Sequence, residues 1–109
     1  MGMSVCGINP KSRRGKYFDR NIWHWGPLAA LIKALFPKES APCKSWSHND
    51  GQGLNAKQAA ALARALQKAI DNGRVRDAIS RYAWKYGLEL PEVKRFLAFL
   101  EDCGGFVIW

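Results

Sequence analysis

The sequence predicts a mainly α-helical single domain of about four helices, with a two-stranded β piece joining the N- and C-termini. Three observations predict it. Apolar residues recur at helical spacing in several stretches. Each stretch is bounded by proline, by a capping residue or by glycine. Short apolar segments of strand type stand near both ends of the chain.

Residues 4–8, Ser-Val-Cys-Gly-Ile, read as a short strand. Asn9 to Arg20 is polar and basic, punctuated by Pro10 and Gly15, and reads as a loop that is mobile without a partner. Gly26-Pro27 opens a first helix, because proline at the first helical position loses only an N–H that would be unpaired there. Leu28, Leu31, Ile32 and Leu35 form its apolar stripe, and Pro37 ends it. Lys38 to Asp50 reads as a connector.

The second helix starts at Asn55, an N-cap residue with Gln58 three positions on. Ala59, Leu62, Ala63, Leu66 and Ile70 form its buried face, and Asn72-Gly73 stops it. A third helix over Val75 to Tyr86 buries Val75, Ile79, Tyr82 and Tyr86, with Trp84 on the opposite, polar face. A fourth starts at Pro91 and turns Val93, Phe96, Leu97 and Leu100 inward, with Phe99 and Cys103 beside them. Gly104-Gly105 ends it. The tail Phe106 to Trp109 is strand-like and is expected to pair with residues 4–8. The whole chain, 1–109, is then one domain: a basic strand and loop arm over 1–20 and a helical body over 22–109.

Size and composition narrow the function. A chain of 109 residues holds one core. Its net charge of +8 favours polyanionic partners, although charge also serves solubility alone. Three cysteines without close spacing argue against a disulfide framework and for a reducing compartment. Leu28 to Phe36 is too short to span a bilayer, and the start lacks a signal-peptide pattern, so the expected location is cytoplasmic, with no membrane contact.

The loop His48-Asn49-Asp50-Gly51-Gln52-Gly53-Leu54-Asn55 concentrates polar side chains and glycines before a helix. Its register fails for a calcium loop, because Trp46, His48 and Lys57 would fall at ligand positions. It lacks the lysine and hydroxyl of a phosphate-binding P-loop. Cys43 and His48 are the nearest pair of soft metal ligands, too few for a zinc site. Cys43 or Ser45 as nucleophile, His48 as base and Asp50 as orienting acid are the arrangement nearest to a catalytic triad, and they are crowded into one loop. No catalytic residue, metal or cofactor is assigned, and the chain reads as a non-enzymatic binding module. Its first expected partner is a protein, met through Trp84, Arg81 and the loop residues His48, Asn49, Asp50, Gly51 and Gly53. The alternative is nucleic acid, met through the arm residues Lys11, Arg13, Arg14, Lys16 and Arg20 and the ridge Lys57, Arg64 and Lys68 on one face of the second helix. Of the tryptophans, Trp23, Trp25 and Trp109 are expected in the core.

The segments His48 to Ala56, Leu62-Ala63, Leu66, Phe96, Phe99-Leu100 and Cys103-Gly104-Gly105-Phe106, with Gly7 to Ser12 and Trp23 to Leu28, resemble a family of small uncharacterised bacterial proteins. Its marks are an Asn-Asp-Gly-x-Gly-Leu loop and a C-terminal Cys-Gly-Gly-Phe motif. The resemblance implies a bacterial cytoplasmic protein with no assigned activity, and so no catalytic residue. Many members carry a zinc-knuckle-like cysteine insert between the second and last helices. Val75 to Leu88 stands there in this chain without a cysteine, so metal binding does not transfer.

Overall fold

The computed structural model describes residues 2–46, 51–86 and 88–109; the side chains of residues 2–3, 20–24 and 82–86 fall outside that description. It is about 60% helical and mainly α, as the periodicity predicts. The elements are β1 (Gly2–Met3), β2 (Val5–Gly7), a 3₁₀ turn (Arg13–Gly15), β3 (Arg20–Asn21), α1 (Ile22–Leu35), α2 (Pro37–Ser40), β4 (Gly53–Asn55), α3 (Ala56–Asp71), α4 (Arg74–Tyr86), α5 (Leu90–Asp102) and β5 (Gly105–Ile108).

The ends of the chain do pair. β2 runs antiparallel to β5, with Val5 opposite Ile108 and Gly7 opposite Phe106. The sheet gains a third strand from the segment whose glycines and polar residues predict a loop. β4 joins the other edge of β5, with Gly53 opposite Val107 and Leu54 opposite Phe106. Leu54 explains this: its side chain is buried, and a strand places it on the same inner face as Phe106. A separate pair, β1 with β3, lies next to α1.

α3 begins as expected. The Asn55 side chain accepts from the Gln58 N–H at 2.8 Å, and the Gln58 side chain accepts from the Asn55 N–H at 2.9 Å. α5 buries Val93, Phe96, Leu97, Phe99 and Leu100 against α3 and the sheet.

α1 departs from expectation. It starts at Ile22, so Pro27 sits inside it rather than at its start. The cause is Trp25, only 1% exposed, whose indole N–H donates to the Trp46 carbonyl. Burying an indole stabilises by about 4–6 kcal/mol, more than the ~3 kcal/mol that an internal proline costs a helix. Trp46 is buried too, and its indole N–H donates to the Ser40 carbonyl at 3.1 Å. The connector after Pro37 is therefore a short helix and a packed turn.

The aromatic centre consists of Phe18, Trp25, Trp46, Phe96, Phe99 and Phe106, with neighbouring ring centroids 5.2–6.4 Å apart. Phe18 belongs to the segment whose polarity and charge predict an arm.

Candidate functional site

The basic segment after β2 is fastened to the C-terminal end of α5. The N–H groups of Ile8, Asn9 and Lys11 donate to the carbonyls of Gly105, Cys103 and Asp102 at 2.8, 3.0 and 2.8 Å. Gly7 donates to the Lys16 carbonyl, closing the loop on itself. The approach requires Gly104, whose φ is +63°; a Cβ there would lie 2.3 Å from the Asn9 carbonyl oxygen. The expected mobile arm is thus a docked loop, because its backbone donors find partners between Asp102 and Gly105 and Phe18 finds the core.

One carboxylate clasps the loop by its side chains. Asp102 accepts from Ser12 Oγ and from Arg14 Nε, each at 2.6 Å. The Arg14 hydrogen bond, helped by that of Ser12, holds the Asp102 carboxyl below its ordinary range, and the same contact raises Arg14. This pair is exposed to solvent, so its role is positional more than stabilising. Arg14 is consumed by the clasp. Lys11, Arg13 and Lys16 are exposed on the fixed backbone, and among the described residues none of the three takes part in an ion pair.

The ridge on α3 is also exposed at Lys57, Arg64 and Lys68. A shallow groove of about 680 Å³ lies between α3 and the end of α5. Ala60 and Ala63 leave room for it, Arg64 and Lys68 border it, and Glu101 of α5 lines it as well. Asp71, also on its border, accepts from the Gln67 amide at 3.0 Å. Glu101 is close enough to Arg14 to raise its pKa. The loop, bonded to Asp102, and the groove bordered by Arg64 and Lys68, lined by Glu101, therefore both adjoin the last turn of α5, although some fifty residues separate them in sequence. The side chain of Arg20 lies outside the described residues.

The expected protein-binding residues fall elsewhere or outside view. His48, Asn49 and Asp50 lie outside the described residues, as does the side chain of Trp84 on α4. Arg81 borders a groove between α4 and α1 with Leu31, Leu35 and Asp77. Gly53 belongs to β4 and pairs with Val107, and Gly51, two residues before it, donates to the Ile108 carbonyl at 2.7 Å. With the Gly51 N–H engaged and the capping box closed, these donors are committed to the fold.

Cys43 is 3% exposed and packed in the core, which removes it as an accessible nucleophile. Burial raises the Cys103 thiol, while partly exposed Cys6 is raised by desolvation and by Asp19. Among the described residues, no group of three or more histidine, cysteine or carboxylate side chains could hold a metal ion. None of the described helices is long and apolar enough to cross a membrane.

Trp109 is a correction. It was expected in the core and is 58% exposed. β5 alternates, so Phe106 and Ile108 point inward and Trp109 outward. Tyr17, 66% exposed, and the clasp of Ser12 on Asp102 were both missed. The alternation of the tail was a readable signal for Trp109; nothing local marks Asp102 as the partner of residues ninety positions away.

Compared with known proteins, the chain matches no family model, no curated sequence and no solved structure.

Proposed function

We propose that this protein is a small non-catalytic binding module for nucleic acid, contacting phosphates through Lys11, Arg13 and Lys16 on the docked loop and through Lys57, Arg64 and Lys68 on α3. The observation supporting this reading is that the docked loop and the α3 residues Arg64 and Lys68 both adjoin the last turn of α5, on backbone that is already fixed. Fixed cations meet a polyanion without the cost of ordering a loop, roughly 1–2 kcal/mol per residue for the backbone alone. Contacts to phosphates position a ligand and carry no sequence information, in keeping with a chain that shows no helix-turn-helix spacing.

The test is fluorescence anisotropy with labelled oligonucleotides over a salt series. Four to six phosphate contacts give a slope of log affinity against log salt of about −3 to −5. Arg13→Glu combined with Lys16→Glu should lower affinity at least tenfold at low salt and flatten that slope. Unchanged binding by this variant, or a wild-type slope near zero, refutes the proposal.

A further inference from the structure

The outward face of the three-stranded sheet meets the phosphate contacts above at Lys16. Its inner face carries Val5, Leu54, Phe106 and Ile108, all buried. On the outer face the register aligns Gly53, Val107 and Cys6 in one row, and a bridge between Cys6 and Tyr17 extends that row by a residue. Trp109 directly follows β5, and its N–H donates to the Ser4 carbonyl at 2.7 Å, so the pairing with the β2 side continues onto it and the period of two gives it the face of Val107.

This face ends in two exposed rings. Tyr17 is 66% and Trp109 58% exposed, in a protein whose other described aromatic side chains are buried. Trp109 lies over Gly51, whose φ is +86°; a Cβ there would sit 2.9 Å from the indole, so only glycine lets the ring lie against the backbone. Lys16 shares a shallow depression with Cys6, Pro10 and Tyr17. The Tyr17 ring and the Lys16 cation are thus contiguous. Two strand spacings across and two residues along separate the Cα atoms of Tyr17 and Trp109 by about 12 Å. That distance suits bases splayed apart and does not suit neighbours in a stacked duplex.

We infer that this face stacks unpaired bases on Tyr17 and Trp109 while Lys16 and its neighbours hold the phosphates, so that the preferred ligand is a single strand. Base faces are open to aromatic side chains in single strands and closed in a duplex. The inference rests on the nucleic-acid reading above and specifies its ligand.

The experiment compares affinities of the full chain for a single-stranded oligonucleotide and for a duplex of the same sequence, at fixed low salt. Wild type is expected to favour the single strand at least tenfold, with quenching of tryptophan fluorescence on binding. Tyr17→Ala and Trp109→Ala should each weaken single-strand binding by a factor of about five to a hundred, the range for one lost base stack. Tyr17→Phe and Trp109→Phe should retain the preference. Equal binding of both forms, with no effect of the alanine variants, overturns the stacking inference and leaves the phosphate reading standing. Absence of binding to either form overturns both. Loss of single-strand binding in the phenylalanine variants as well overturns stacking in favour of hydrogen bonding by the ring substituents.

Discussion

Truncating Phe18 to alanine tests whether the basic segment belongs to the core. Phe18 is 4% exposed, with ring centroids 5.2 Å from Phe96, 5.9 Å from Phe99 and 6.3 Å from Trp25. Losing a buried phenylalanine costs about 3–5 kcal/mol, a large part of the roughly 5–15 kcal/mol that holds such a domain together. Unfolding entropy near 2.1 cal/mol/K per residue gives about 0.23 kcal/mol/K for this chain, so the Tm should fall by about 13–22 °C. Circular dichroism at 222 nm, scanned with temperature, reads this directly. The adjacent Tyr17→Ala supplies the control; with its ring exposed, it should shift the Tm by less than about 2 °C. A fall below about 4 °C for Phe18→Ala would mean that the segment detaches without disturbing the core. The docked-loop account of the cations would then fail.

Three further outcomes are expected. Gly104→Ala meets both a left-handed backbone and the Asn9 carbonyl oxygen at 2.3 Å, and should cost more than about 2 kcal/mol in urea unfolding; a cost within ~0.5 kcal/mol would show that the loop does not need this approach. Thiol titration should modify Cys6 first and reach Cys43 and Cys103 only as the protein unfolds, because both are buried; equal rates would contradict the packing. Asp102 has a lowered folded pKa, so its contribution is present above the ordinary carboxylate value, near ~4, and is lost as pH falls through the lower folded value. The Tm difference between wild type and Asp102→Asn should therefore be constant near neutrality and vanish in strong acid, whereas a pH-independent difference would remove the clasp from the account.

What the sequence made legible was whatever depends on neighbours in the chain. Asn55 and Gln58 announce a capping box because both partners lie within one turn. The stripe on α5 is read from its own period, and the pairing of the two ends from two short apolar segments. What stayed hidden depends on contacts across the fold. Leu54 becomes a strand residue only when Phe106 is beside it, so the glycine-rich loop looked like a site when part of it is a sheet edge. Pro27 looked like a helix start because the pull of buried Trp25 on the preceding turn has no local signature. The candidate surface shows the same division: every cation in it was visible as a basic residue, and nothing in the chain said that the two groups meet.

That meeting changes what the charge can do. A mobile basic arm has its ordering cost to meet on every binding event, and each long side chain that is immobilised adds roughly 0.5–1.5 kcal/mol. Here the backbone is fixed by hydrogen bonds to the carbonyls of Asp102, Cys103 and Gly105, where α5 passes into β5, and by the Phe18 ring. Asp102 could have neutralised the segment, but its Oδ2 takes Ser12 and Arg14, and it is Arg14 that it pairs with. The acid thus spends itself on the residue that holds the loop shut and leaves Lys11, Arg13 and Lys16 directed outward. Docking the segment buries Phe18 and at the same time fixes its cations beside an exposed aromatic face. That fixed array is what the proposed ligand, a phosphate backbone with accessible bases, would meet.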